Sequence, residues 1–306
     1  MTKPIAKYQN GNLTTTLYSD GTRIRETEDD FFEPSFAENV DVHVSNRCDN
    51  GCEMCYANCT VNGKFGKLSG WKFLDTLHEG TEMALNLNFP IPNDFFGFLR
   101  FLKAKNIITN VTINQNHFMK HEEVIQQMYK ENLIYGIGVS LSNPTEEFIE
   151  RISKYPNAVI HVINGIFTKE QYEILKDHNL KVLILGYKQI GRGISYQINK
   201  STDLEVNQNW LYNNLKDIIP HFKVISFDNL SLDQLYVRRL LSEEQWDEFY
   251  GGDDGTFTFF INLVDGYFAK NSLSQIHYSI GDLTMDEMFS IILQNNKRGD
   301  NVWKIR

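Results

Sequence analysis

Between Val40 and about residue 200 the sequence alternates strand-like and helix-like segments, and this rhythm restricts the fold more than any other feature. Val40-Asp41-Val42-His43-Val44 alternates apolar and polar residues, as a strand with one buried face does. Glu82-Met83-Ala84-Leu85-Asn86-Leu87-Asn88-Phe89 reads as the next strand, stopped by Pro90. Residues 107–113, 134–141, 158–163 and 181–185 continue the series. Helical spacing is read around 70–80 through Trp71, Leu74 and Leu77, then at 95–104, 122–131, 145–154 and 169–177. Strict alternation implies a parallel sheet with right-handed crossovers, its strands buried on both faces. Six repeats are too few for a closed eight-fold barrel. The expected fold class is therefore α/β, a partial (β/α)6 barrel of TIM type.

Two further segments flank that core. In residues 1–38 the turn signals Asn10-Gly11-Asn12 and Asp20-Gly21-Thr22 bracket Leu13-Thr14-Thr15-Thr16-Leu17-Tyr18, which predicts a short hairpin. The core is assigned to 39–200 and an α+β extension to 201–306. The extension carries a helix at 211–219, a seventh strand at 222–227 and a helix at 242–250. A glycine-rich turn at 251–255 and a hairpin around Asp265-Gly266 follow, then a helix at 285–293 and a charged tail.

The net charge of −9 argues against a general nucleic-acid binder, which needs a basic surface. No apolar run is long enough to span a bilayer, and Met1-Thr2-Lys3-Pro4-Ile5-Ala6-Lys7 lacks the hydrophobic stretch of a signal peptide. All 4 cysteines fall in one loop, Cys48-Asp49-Asn50-Gly51-Cys52-Glu53-Met54-Cys55-Tyr56-Ala57-Asn58-Cys59, directly after the first core strand. Such clustering does not resemble a secreted disulfide framework, and a cytoplasmic location is expected. Crowded thiolates are soft ligands for a soft metal or an iron–sulfur cluster. Three readings stand on the residues alone. Cys48, Cys52 and Cys55 can hold a cube with one iron left open; Cys59 can complete a closed four-thiolate electron carrier; or the loop can bind zinc, although structural zinc sites usually pair two separated ligand turns.

The spacing C-x3-C-x2-C followed by Tyr56 resembles the radical S-adenosylmethionine (radical SAM) superfamily. The resemblance covers about residues 38–200. It implies a [4Fe–4S] cluster on Cys48, Cys52 and Cys55, with SAM chelated at the open iron. Reductive cleavage of SAM to a 5′-deoxyadenosyl radical and hydrogen abstraction from a substrate would follow, with an external flavodoxin- or ferredoxin-like electron donor. On this reading Cys59 is a structural thiol outside the cluster. The layout also resembles small phage-type radical SAM proteins, through the hairpin, Asp254-Gly255-Thr256-Phe257-Thr258 and the absence of cysteines beyond residue 59 that could serve an auxiliary cluster.

Carried onto this sequence, the resemblance places further SAM or substrate contacts at the strand ends. The Gly-Gly-Glu stretch of many members has no counterpart here. Asn86 and Asn88 stand in its place, with Gly80-Thr81-Glu82 as a weaker alternative alignment. Asn114, with Thr112 and Gln115, closes the third strand; Ser140 and Ser142 close the fourth. His161 is an inward candidate or a packed strand histidine. Gly186-Tyr187-Lys188-Gln189-Ile190-Gly191-Arg192-Gly193 is either a plain turn with solvated cations or a loop whose Lys188 and Arg192 hold an anionic group. The substrate is expected to be a peptide, taken up by strand addition at the C-terminal strands, or a nucleotide or modified base.

Overall fold

The computed structural model describes residues 3–297; the charged tail lies outside them. Strands β1 (Pro4–Asn10), β2 (Leu13–Tyr18) and β3 (Arg23–Glu26) pair as an antiparallel meander. Both turn signals sit at its reversals, with Gly11 at φ +64° and Gly21 at φ +95°. A third strand thus extends the expected hairpin.

The remaining elements, in order, are β4 (Asn39–His43), β5 (Glu82–Asn86), α1 (Phe95–Ala104), β6 (Ile108–Asn114), α2 (Gln115–Lys120), α3 (Glu122–Lys130) and β7 (Gly136–Ser140). Next come α4 (Glu146–Ile152), β8 (Ala158–Ile163), α5 (Lys169–Leu175), β9 (Lys181–Leu185), α6 (Arg192–Ile218), β10 (Val224–Phe227) and α7 (Asn229–Gln234). The chain then forms α8 (Glu243–Phe249), β11 (Thr258–Asn262), β12 (Tyr267–Ala269), β13 (Tyr278–Ser279) and α9 (Met285–Lys297). Thr145, Thr168, Asp228 and Ser242 cap α4, α5, α7 and α8 by accepting from backbone N–H groups of the first turn.

Strands β4 to β13 make one 10-stranded sheet in the order β10-β9-β8-β7-β6-β5-β4-β11-β12-β13. The run from β10 to β11 is parallel throughout; β12 and β13 are antiparallel additions. The sheet is larger than the six strands expected, because β10 joins one edge and β11 inserts beside β4. Residue 200 is the kink of α6, where Lys200 leaves helical geometry (φ −128°, ψ 25°). The expected helix at 211–219 is the second half of that element. No helix is expected over its first half, where Ile194 and Ile198 are 51% and 74% exposed. The stretch at 70–80 is only a short 3-10 turn, Lys72–Thr76, bounded by positive-φ Gly70 and Gly80.

The sheet is curled. Seven ladder steps separate β10 from β11, about 34 Å if the sheet were flat. Asn229, just past β10, nevertheless donates to Asp254 Oδ1, just before β11, at 2.8 Å. The six chain steps from the two strand ends to these residues span at most about 21 Å, so only curvature can bring these groups together. Among the described residues no ladder joins the two ends.

Curvature gives the two faces of the sheet different fates. The convex face carries Val40, Val42, Met83, Leu85, Val111, Ile113, Ile137, Val139, Ile160, Val162, Val182 and Ile184, each at most 2% exposed and packed in the main core with Phe95, Phe98, Leu99 and Phe148. The alternate residues, among them Asp41, Asn86, Asn114, Ser140 and His161, are half-buried or exposed on the concave face. The expectation of strands buried on both faces therefore fails, because the concave face encloses a lumen instead of a second helix layer.

The N-terminal meander closes the lower end of this lumen. Tyr135, before β7, donates to Tyr18 O at 3.0 Å, and Lys181 of β9 donates to Asp20 O at 3.0 Å. Arg23 pairs with Glu82 of β5 and with Glu38, and Arg25 pairs with Glu38. Among the described residues no helix is long and apolar enough to cross a membrane.

Candidate active site at the mouth of the sheet

The cysteine loop leaves β4 at its C-terminal end and returns on itself. Gly66 N donates to Val44 O, Asn46 N to Lys64 O, Thr60 N to Asn46 O and Cys48 N to Thr60 O, at 2.8–3.1 Å. Within the turn, Cys55 N donates to Cys52 O and Asn58 N to Cys55 O. Cys48, Cys52 and Cys55 are half-buried, Cys59 is buried, and all four are free thiols. Burial pushes the Cys48 and Cys52 thiols up. The Cys59 thiol donates to Cys55 and lowers it to about 6, while Cys59 itself is driven up by that same bond.

Side chains at and beyond the ends of two other strands, β5 and β9, hold the loop. Asn86 Oδ1 accepts from Val44 N at 2.6 Å, and its Nδ2 donates to Ser45 O at 2.7 Å. Asn88 Nδ2 donates to the same carbonyl at 2.9 Å and lies 3.6 Å from Cys59 Sγ. Both asparagines expected to face SAM thus fasten the base of the loop. Arg192, a candidate for holding an anionic group, also contacts the loop. Its Nε donates to Cys52 O, its Nη1 to Cys59 O and its backbone N–H to Cys55 O, so the guanidinium is turned onto the loop. Gly191, at φ +57°, permits this approach: a β-carbon there would lie 2.2 Å from Tyr56 O.

Asn114 caps α2 through Oδ1, which accepts from Asn116 N, and its Nδ2 donates to Ser142 Oγ at 3.0 Å. That same amide lies 3.9 Å from Cys52 Sγ. Ser142 N and Asn143 N both donate to Gln115 Oε1, so Gln115 is a buried brace. Asn114, Ser140 and His161 are registered neighbours across β6, β7 and β8 and form one polar row; Thr112 lies on the same face of β6 as Asn114. Gly138 makes room for His161, whose Cε1 would sit 2.3 Å from a β-carbon at that position. Burial holds His161 down to about 4, so its imidazole is neutral at physiological pH. Lys188 Nζ donates to Ser272 Oγ at 2.8 Å and stands 4.2 Å from the Tyr56 ring centroid. Its ammonium is thus engaged by a hydroxyl and an aromatic ring.

Several contributors were not foreseen. α2 brings His117 Nε2 to 2.6 Å from Asp49 Oδ1, and Asn116 Nδ2 donates to Asn50 Oδ1. Asn50 Nδ2 lies 2.9 Å from Cys52 Sγ. Asp41, which the sequence presents only as the polar member of an alternating strand, stands on the lumenal face of β4.

Among the described residues no three His, Cys, Asp or Glu side chains converge as ligands of one metal ion would. A cube takes one thiolate per iron corner and does not require that convergence, so three half-buried thiols on one braced loop fit its donor set. The C-terminal edge of the sheet is β13, two residues long, which leaves little template for the strand addition expected there.

No protein-family model and no curated protein matches the chain. Solved structures do, through the fold. SuiB of Streptococcus suis bound to precursor peptide SuiA aligns over 98% of this chain and 91% of its own, with 11% identity and a TM-score of 0.59. SuiB bound to S-adenosylmethionine aligns over 87% and 68%, with 14% identity and a TM-score of 0.56. A third SuiB structure aligns over 92% and 86%, with 11% identity and a TM-score of 0.57. At such identity the likeness is one of fold, and the chain shares the SuiB architecture over nearly its whole length.

Proposed function

We propose that this chain is a radical SAM enzyme acting on a peptide. The observation that carries the reading is the placement of Cys48, Cys52 and Cys55 on one braced loop at the C-terminal mouth of a curled parallel sheet. Active sites of β/α barrels gather at that end. The fold shared with SuiB, which is seen bound to SAM and to a precursor peptide, supports both the cofactor and the substrate class.

Cys48, Cys52 and Cys55 would hold a [4Fe–4S] cluster. When bound, the cluster supplies the electron that cleaves SAM and yields a 5′-deoxyadenosyl radical able to take a hydrogen atom from the substrate. The chain's own residues orient and enclose. Arg192, Asn86 and Asn88 fix the loop backbone, which sets the direction of the thiols. The row Asn114, Ser140 and His161, with Ser142 beside it, offers hydrogen-bonding groups to SAM on the lumenal side. Lys188, after β9, and Tyr56, in the loop after β4, meet at the C-terminal end of the sheet. A reducing cytoplasm and an external flavodoxin- or ferredoxin-like donor complete the reading. With Arg192 and Lys188 both engaged, a phosphate-bearing nucleotide has fewer free partners than a peptide.

Anaerobic purification, iron and sulfide analysis, and 5′-deoxyadenosine formation under dithionite test the reading. Wild-type protein and Cys59→Ala should carry the cluster and cleave SAM, and Cys52→Ala should do neither. Loss of the cluster in Cys59→Ala favours the four-thiolate electron carrier, and a colourless zinc protein favours the scaffold.

A further inference from the structure

We propose that Asp41 is the anchoring carboxylate for a basic side chain of the peptide substrate, pairing with its ammonium or guanidinium inside the lumen. This deepens the peptide reading above and rests on it.

Asp41 lies at the centre of β4 on the concave face, in register with Phe260 of β11 and Ala84 of β5. Its side chain is exposed although it sits in mid-strand between two paired neighbours, so it opens onto the lumen. Among the described residues its carboxylate makes no hydrogen bond and no ion pair.

The charges that act on it are Lys188, Asp254, Asp228 and Glu82. Lys188 is held by Ser272 and the Tyr56 ring. Asp254 accepts from Asn229 and Asn271. Asp228 caps α7 and accepts from Gly186 N. Glu82 is paired with Arg23 and accepts from Asn110. Asp41 is the carboxylate of this set left without a partner, in a field with three other acids and one cation.

Burial pushes Asp41 up to about 6 against the pull of Lys188, so at neutral pH it is ionised at a cost. A cation entering the lumen would relieve that cost. An anion would add to it. Its neighbours suit the remainder of such a side chain: Phe260 is an apolar wall and Ala84 is small, a setting in which an aliphatic stem lies flat beneath its charged head.

The test uses full-length protein and short blocked alanine peptides bearing one central lysine, norleucine or glutamate, with binding read by ligand-observed NMR. The lysine peptide should bind about tenfold or more tightly than norleucine, and glutamate most weakly. Asp41→Asn should erase the lysine preference, and Asp41→Glu should retain it. SAM affinity and substrate-free 5′-deoxyadenosine formation should be unchanged in Asp41→Asn. Equal binding of lysine and norleucine peptides to the wild-type protein overturns the proposal, and needs no variant to fold. So does a drop in SAM affinity in Asp41→Asn, which would assign the carboxylate to SAM. Iron content is read on the same samples. An iron-free protein that still prefers lysine sinks the radical SAM reading and leaves the anchor standing; an iron-loaded, SAM-cleaving protein blind to charge does the reverse.

Discussion

The guanidinium of Arg192 donates to the carbonyl oxygen of Cys52 at 2.9 Å, joining the first turn of α6 to the middle of the cysteine loop. A second donation to Cys59 O, also at 2.9 Å, makes the contact two-pronged. Guanidinium geometry fixes both carbonyls at once, which a lysine ammonium on a flexible stem cannot reproduce.

Arg192→Lys is therefore expected to bind iron more weakly than wild type while keeping its fold, with the iron-to-protein ratio after anaerobic gel filtration as the measure. Each hydrogen bond removed is worth roughly 1 kcal/mol, and a carbonyl left dry costs more. Gly191→Ala should be worse. Its new β-carbon meets the Tyr56 carbonyl at 2.2 Å, and a backbone atom cannot swing aside as a side chain can. Full iron occupancy in Gly191→Ala would contradict this account of the loop.

Gly138→Ala offers the contrasting case. Its β-carbon would crowd the His161 imidazole at 2.3 Å, but that ring borders the lumen and can rotate into it. The variant should fold with a melting temperature within a few degrees of wild type and bind SAM or substrate less well, because the displaced ring takes up lumenal space. A large loss of thermal stability with unchanged binding would place the glycine's role in packing alone.

Much of this was readable in the sequence. Strands such as Ala158–Ile163 and Lys181–Leu185 stand where periodicity put them, since local apolar patterns follow the burial of one strand face. What could not be read depends on curvature. Asn86 and Arg192 find their partners 41 and 140 residues away, and nothing local says that an inward asparagine will grip Ser45 O. The first half of α6 carries Ile194 and Ile198 at helical spacing but presents them to solvent, so that pair marks no buried face. Asp41 reads in the sequence only as the polar member of an alternating strand, and its isolation appears only when Lys188, Asp228 and Asp254 are placed around it.

The raised Asp41 pKa sets a pH signature for stability. The ordinary value of 3.8 moves to about 6 in the folded protein, with burial as the main cause. Between about pH 4 and pH 6 the folded state holds a proton that the unfolded chain has released, so this group's contribution to stability falls as pH rises through that window. Asp41→Asn removes the deficit. Its melting temperature should exceed that of wild type at pH 7, and the gain should vanish at pH 4. An equal difference at both pH values would show that the carboxylate is not destabilised by its surroundings.

Glu38 sets the floor of the lumen as Asp41 sets its interior. Its side chain is fully buried, with Arg25 Nε and Nη2 both at 2.8 Å, Arg23 Nη1 at 3.4 Å and Thr15 Oγ1 donating at 2.6 Å. These partners all belong to the meander, and Glu38 immediately precedes β4, so one carboxylate fastens the N-terminal sheet to the core. Removing Glu38 leaves the largely buried Arg25 guanidinium without a carboxylate, while Arg23 keeps Glu82, a loss of about 3 kcal/mol. Glu38→Ala should lower the unfolding free energy obtained from urea titration by that amount. Glu38→Gln, which keeps the shape and the Thr15 hydrogen bond, should lose less. The meander should also loosen first, so proteolysis of Glu38→Ala is expected to begin within residues 3–38 while the cysteine loop stays protected. First cleavage within the cysteine loop would show that Glu38 supports the mouth of the sheet and not its floor.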